Sequence, residues 1–454
     1  MAEKPVHPVT VIRAGHIVPV RPAGVVLEEF AVAIENSTIV AIRPSDELKR
    51  AYPAATVIDL PHHALLPGLI NMHTHSPMTL LRGYADDQSL QTWLGDHIWP
   101  AEQHFVGPEF VSDGTRLAVA EMIRAGTTCF NDMYFHPNQI AQVCKEAGIR
   151  ASIGVPLIEL ETFSMRDVER HFAQAEEIYQ EWSGEPLLQF SFAPHAPYTV
   201  SDETLAKVGK MSRSLDVPVH MHLLETTWDI KHSLQHHEVS PLGRLKALGL
   251  LNSRLQAVHM TQLSEEDIRL LAANSVNVVH CPQSNLKLAS GICPVSELID
   301  AGVNVSVGTD GAASNNDLDI LAEAQTAALL AKGVSGDAET VSAFQALEMI
   351  TINGARALGM ESQLGSIECG KQADLCAIDL SGPETQPLHH VVSQLVYAAS
   401  ARQVSDVWVA GKRVLESRAL TALDLEKTIT KAKYWKKRLA EFSQGKQTQE
   451  RLSH

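Results

Sequence analysis

A chain of 454 residues is too long for one ordinary compact domain, but it fits a parallel α/β barrel of about 250 to 300 residues with a second domain beside it. Hydrophobic residues at 45% and charged residues at 20% exclude disordered and fibrous readings. A formal net charge of −16 argues against nucleic acid as a partner, because phosphate contacts need a basic face, and leaves small molecules.

The sequence opens Met1-Ala2-Glu3-Lys4-Pro5-Val6-His7 without the apolar core of a secretory signal, and no later segment approaches the roughly twenty uninterrupted apolar residues that cross a bilayer. A cytoplasmic protein with no membrane partner is the expectation. The first sixty residues then alternate β-rich runs with turns, at Val9–Ile12, Phe30–Ile34 and Thr38–Ile42. From about Pro67 to about Gly359 short apolar runs are separated by amphipathic stretches of helical length, the pattern of repeated βα units. The runs number eight: Leu65–His75, Thr127–Met133, Ala151–Leu157, Leu188–Pro194, Val217–Leu223, Leu255–Met260, Val276–His280 and Val303–Thr309. Antiparallel texture returns at Asp374–Ile378 and in the hairpin Val407–Leu415. The last thirty residues carry Lys431, Lys433, Lys436, Lys437 and Arg438 around Tyr434 and Trp435, which reads as a solvated helix with snorkelling lysines rather than an anion-binding tail. Six cysteines without a Cys-x-x-Cys read as free, mostly buried thiols.

The expected fold is therefore α/β: a TIM-like (β/α)8 barrel over residues 65–362, with a small composite β-sandwich domain from both chain ends, 1–64 and 363–424, and a helix or tail over 425–454. Active sites of such barrels lie at the carboxyl ends of the strands. There the sequence places His73 and His75, then His195, His222, His259, His280 and Asp310. A single histidine at a strand end is more often a satisfied core residue than a ligand, but six strand ends opening into one mouth reverse those odds.

His73 and His75 are two apart on a strand, so both leave the same face and reach one metal ion. Adding His222 and Asp310 makes a nitrogen and oxygen donor set without thiolate, suited to Zn2+, with Fe2+ as the alternative. His220 has the same parity as His222; the position nearer the carboxyl end, three before Glu225, favours His222 as ligand and His220 as packing or support. Glu225 lies just past its strand, where it can exchange protons with a substrate nitrogen, although a solvated loop carboxylate is its bland alternative. Barrels that hold two metals commonly bridge them with a modified lysine; Val155-Pro156-Leu157 and Ala193-Pro194-His195 offer none, so one ion per subunit is expected.

The segments Pro67–His75, Trp99-Pro100-Ala101-Glu102, Pro194–Tyr198, His222–Thr226, Ser284–Leu288 and Gly308–Asn316 together resemble, in order and across the whole barrel, the 5-methylthioadenosine/S-adenosylhomocysteine deaminases of the amidohydrolase superfamily. The His-x-His alone marks only the superfamily; the combination is much more specific. The resemblance implies metal ligation by His73, His75, His222 and Asp310 and substrate contacts from Glu102, His195, Glu225 and Asp310. It also implies a purine nucleoside substrate, with Glu102 on the ribose hydroxyls, His195 on the purine and His259 orienting water. A carboxylate suits a vicinal diol because it accepts two charge-assisted hydrogen bonds.

The implied chemistry is hydrolytic deamination. Glu225, His259 and Asp310 serve as the catalytic groups, Asp310 and His259 taking the proton of the attacking water and Glu225 protonating the ring. Arginine after the third strand, expected for holding the carboxylate of S-adenosylhomocysteine, is represented only by Arg166 and Arg170, so 5-methylthioadenosine is the expected better substrate. Deamination of adenosine, guanine, cytosine or a pterin, or triazine dechlorination, needs the same metal centre; an inactive scaffold would need a lost ligand, and none is lost. Barrels of this kind often self-associate, which makes a homo-oligomer an expected partner state.

Overall fold

In a computed structural model, which describes residues 9–159 and 168–452, the two textures of the sequence become two sheets. The first is a nine-stranded mixed sheet ordered Ala419–Leu420, Lys412–Glu416, Val404–Val409, Leu375–Asp379, Thr56–Pro67, Val9–Ile17, Phe30–Glu35 and Thr38–Pro44, with Leu27–Glu28 paired beside Val9–Ile17. Both ends of the chain meet where Leu375–Asp379 runs antiparallel to Thr56–Pro67, with Leu66 opposite Cys376. Fully buried Ile12, Val32, Leu65 and Leu375 pack with Trp408 on one face, while Val11, Ala31 and Ala33 meet Leu48 of the helix Ser45–Ala51 on the other.

The second sheet has eight parallel strands in sequential order: Leu69–Thr74, Thr127–Met133, Arg150–Leu157, Leu188–Pro194, Val219–Leu223, Leu255–His259, Asn277–His280 and Asn304–Val307. These are called strands one to eight of the barrel. The apolar run at Leu65–His75 divides at Gly68, where the sheet domain passes into strand one. A Cβ there would stand 2.0 Å from Thr128 Oγ1, so only glycine lets the chain cross so close to strand two. The last strand returns to the first through the Asp310 amide, which donates to the His73 carbonyl at 2.9 Å, and through Asn71, which donates to Thr309 Oγ1 at 2.8 Å. Gly308 makes this approach possible, since a Cβ there would lie 2.5 Å from the His73 nitrogen.

Between strands one and two the chain makes a long excursion over the barrel mouth. It includes a π-helix at Trp93–Ile98 and a helix at Trp99–Phe105, followed by the long helix Pro108–Arg124. The terminal helix Leu425–Leu452 lies on this region, with Trp435 buried and Lys433, Lys436 and Lys437 exposed. Among the six free cysteines, Cys369 alone is exposed.

Candidate active site

The carboxyl ends of the strands bring distant side chains into one cluster. His73 closes strand one with Thr74, and His75 follows it; strand five carries His220 and His222; strand six ends on His259, and Asp310 follows strand eight. Nε2 of His222 lies 3.2 Å from Nε2 of His73 and 3.3 Å from that of His75, while Asp310 Oδ1 is 3.3 Å from each of those two nitrogens. Donors about 2.0 to 2.1 Å from one ion stand about 3.3 Å apart at tetrahedral angles, which matches these four of the six separations, and the donor atoms of His73, His75 and Asp310 all lie within 4.8 Å of one another, close enough to hold a metal ion.

The ring orientations are fixed from behind. Nδ1 of His73 meets Nε2 of His220 at 2.9 Å, Nδ1 of His75 meets the Met133 carbonyl at 2.6 Å, and Nδ1 of His222 meets the His195 carbonyl at 2.8 Å. Each ring therefore presents Nε2 to the centre, the arrangement by which outer hydrogen bonds set the ligand tautomer. His220, one strand pleat deeper than His222, is the ring behind His73. Burial lowers His222 well below the ordinary imidazole value and takes His73 to about 4, the neutral form that metal ligation would need, whereas His75, despite its burial, is raised to about 9 by its hydrogen bond with Asp310. Burial would raise Asp310, but hydrogen bonds from His73 and His75 hold it well below the usual carboxylate range.

Around the cluster, Asp310 Oδ2 accepts from Ser284 at 2.6 Å and Ser314 at 2.9 Å. His259 Nδ1 meets Asn285 Oδ1 at 2.8 Å, which makes Nδ1 the donor and leaves Nε2 facing Glu225 Oε2 at 3.7 Å. Glu225 Oε1 accepts from Ser290 at 3.0 Å, and burial raises its carboxyl above the usual value. His195 Nδ1 lies 3.1 Å from the Thr199 hydroxyl, which itself donates to the Ala196 carbonyl, so His195 donates through Nδ1 and keeps Nε2 as an acceptor. Glu102 reaches the same space from the mouth helix; its Oε1 accepts from Tyr134 at 2.6 Å, and burial pushes its pKa up to about 7. Leu224, His259, Met260 and Asp310 all take positive φ, between 49° and 76°. Such backbone costs about 1–3 kcal/mol per residue and gathers where function fixes a side chain.

A family model for the amidohydrolase family matches residues 64–414. A 5-methylthioadenosine/S-adenosylhomocysteine deaminase of Teredinibacter turnerae is 46% identical over 94% of this chain and 96% of its own length. The chain belongs to the amidohydrolase family, among its 5-methylthioadenosine/S-adenosylhomocysteine deaminases. Among solved structures, an adenosine deaminase from Xanthomonas campestris with bound zinc is 50% identical, with a TM-score of 0.94 over 95% of this chain and 98% of that one. An atrazine chlorohydrolase from Arthrobacter aurescens complexed with zinc shares the fold at 23% identity, with a TM-score of 0.88 over 94% and 99% of the two chains.

In this amidohydrolase a pocket rises from the cluster. His75, His195, His222, Glu225, His259 and Asp310 line its floor, and Glu102 stands on its wall. Leu90, Trp93, Leu94, Phe135 and Ile158 make the remainder apolar, and no lysine or arginine lines the pocket among the described residues. Arg166 lies outside the described residues, as does the side chain of Arg170. His280 is buried at its strand end but does not line the pocket. The sequence reading missed the hydroxyl and amide partners Tyr134, Thr199, Ser284, Asn285, Ser290 and Ser314. The Ser284–Leu288 and Gly308–Asn316 motifs contained three of them without announcing their roles; Tyr134 carried no local signal.

Proposed function

We propose that this amidohydrolase deaminates a 5′-substituted adenine nucleoside by hydrolysis, taking 5-methylthioadenosine to 5-methylthioinosine in preference to S-adenosylhomocysteine. The observation that carries this reading is the pairing, in one pocket, of the His and Asp cluster with a buried Glu102 across an apolar wall. The cluster suits attack on the ring carbon bearing the amine, Glu102 suits a ribose diol, and the apolar wall suits a thioether tail. A tail ending in charged amino and carboxylate groups finds no cation on the described part of that wall.

His73, His75, His222 and Asp310 would hold one zinc ion per subunit; the same donors suit ferrous iron, and zinc in the Xanthomonas relative favours zinc. When bound, the ion lowers the pKa of a water molecule and so supplies the nucleophile at neutral pH. Asp310 and His259 accept and orient the proton of the attacking water as its oxygen bonds to C6. Glu225, raised by burial and hence able to carry a proton, gives it to the ring nitrogen next to C6. The C6–N bond then breaks, the amino group leaves as ammonia after taking up a proton, and the inosine counterpart remains. His195 Nε2, an acceptor, faces the base, and Glu102 holds the ribose.

The name of the Xanthomonas relative favours adenosine as a second reading. Initial rates of ammonia release from 5-methylthioadenosine, S-adenosylhomocysteine, adenosine and free adenine separate the two. The proposal expects the highest kcat/KM for 5-methylthioadenosine and very little for the free base. A higher value for S-adenosylhomocysteine overturns the tail argument, and a higher value for adenosine favours the second reading. Removal of the ion by a chelator is expected to abolish every one of these rates, with recovery on adding zinc.

A further inference from the structure

Two motif residues stand outside the chemistry described so far: Lys287 of the Ser284–Leu288 segment and Asn316 of Gly308–Asn316. The short helix Pro282–Lys287 follows strand seven and supports the catalytic groups, since Ser284 donates to Asp310 and Asn285 meets His259. Its last residue reaches another element. Lys287 Nζ donates to Asp86 Oδ1 at 2.7 Å and to Asn316 Oδ1 at 2.5 Å, while Asn316 Nδ2 donates to Asp86 Oδ2 at 3.0 Å. The three side chains thus close a ring of hydrogen bonds that uses both oxygens of Asp86. The Asn316 carbonyl also accepts from Arg82 at 3.0 Å.

Asp86 and Arg82 belong to the excursion between strands one and two. Leu90, Trp93, Leu94 and Glu102, further along that excursion, line the pocket, and so does Leu288, which follows Lys287 on the barrel side. The ring therefore joins the wall that arrives with the excursion to the loops after strands seven and eight. The Lys287 side chain is 23% exposed and that of Asp86 35%, so the charge-assisted bonds are partly sheltered from water. The bond from Lys287 holds the Asp86 carboxyl below its usual pKa.

We propose that Lys287 is a positioning residue for substrate capture: through Asp86 it fastens the excursion to the barrel ends and keeps the pocket wall and Glu102 in their binding positions. The inference rests on the proposed function for the ligand that the wall receives, not for the fastening itself. Without the tie, fewer molecules have the wall in place, and apparent affinity falls by that fraction while the His and Asp cluster keeps its geometry.

Lys287→Met and the wild type, both loaded with zinc, are compared in two measurements. In amide hydrogen exchange read by mass spectrometry, residues 84–105 should exchange at least about threefold faster in the variant, with strand five unchanged. Unchanged exchange in that segment, or equal acceleration throughout the chain, overturns the fastening whatever the substrate proves to be. In steady-state kinetics on the nucleoside that the wild type turns over best, KM should rise at least about fivefold with kcat within about twofold. A fall in kcat at constant KM overturns the role in capture. Asp86→Ala should show the same pattern, and the double variant should be no worse than about twofold beyond the weaker single one, because both changes remove one contact. Multiplying effects would show that the two residues act separately and overturn the proposal.

Discussion

Glu225 is gripped from several directions. Its amide donates to Asp229 Oδ2 at 2.7 Å, its Oε1 accepts from Ser290, and its Oε2 faces His259. Glu225→Gln keeps this shape but cannot deliver the proton, so turnover should fall by about 10²–10⁴ while metal content stays at the wild-type value. Steady-state rates beside metal analysis check this, and an unchanged rate removes Glu225 from the reaction. Glu102 gives a pH signature. Its pKa of about 7 means that the carboxylate, the form that would accept from both ribose hydroxyls in the proposed reaction, is lost as pH falls through that value. KM for a nucleoside should therefore drop as pH rises from about 6 to about 8, and the limb should vanish in Glu102→Gln. The histidines, Glu225 and Asp310 were legible because chemistry-bearing residues at strand ends interrupt apolar runs. Tyr134 and Ser290 were not, since a hydroxyl that supports a carboxylate follows no period and belongs to no ligand type.

The terminal helix acts as a brace on the element that carries Glu102. Trp435 is buried, donates from Nε1 to Asp113 Oδ2 at 2.9 Å, and meets Phe110 edge to face at 5.2 Å. About two turns onward Phe442 stacks on His104, and Ser443 meets the Tyr84 hydroxyl at 2.9 Å. Trp435→Ala should cost about 3–5 kcal/mol in urea unfolding and raise KM more than it lowers kcat, because the mouth helix loosens while the metal cluster stays. Trp435→Phe, which keeps most of the ring, should show a smaller version of both effects. The eight strands were readable as apolar runs of strand length. The π-helix at Trp93–Ile98 was not, since a one-residue widening of a helical turn leaves apolar spacing almost unchanged.

At the scale of the molecule, a buried ion pair ties the two domains. Arg150, first residue of strand three, donates from Nε and Nη2 to the two oxygens of Asp374 at 3.1 Å each, and both side chains are nearly inaccessible. Arg150→Ala strands a buried carboxylate and should cost about 3–5 kcal/mol, read as a lowered urea midpoint with kcat unchanged, since the pair lies at the opposite end of the strand from the active site. That two regions of antiparallel texture belong together could be read from their likeness. Which strands touch could not, because nothing local encodes a pairing such as that of Thr56–Pro67 with Leu375–Asp379. This seam also sets an order of events during synthesis. Pro67 leaves the ribosome 309 residues ahead of Cys376, the residue whose thiol later meets its carbonyl. All eight barrel strands emerge in the interval, so the mixed sheet, begun by the strands up to Pro67, is completed last, and until then the outer edge of Thr56–Pro67 is left unpaired.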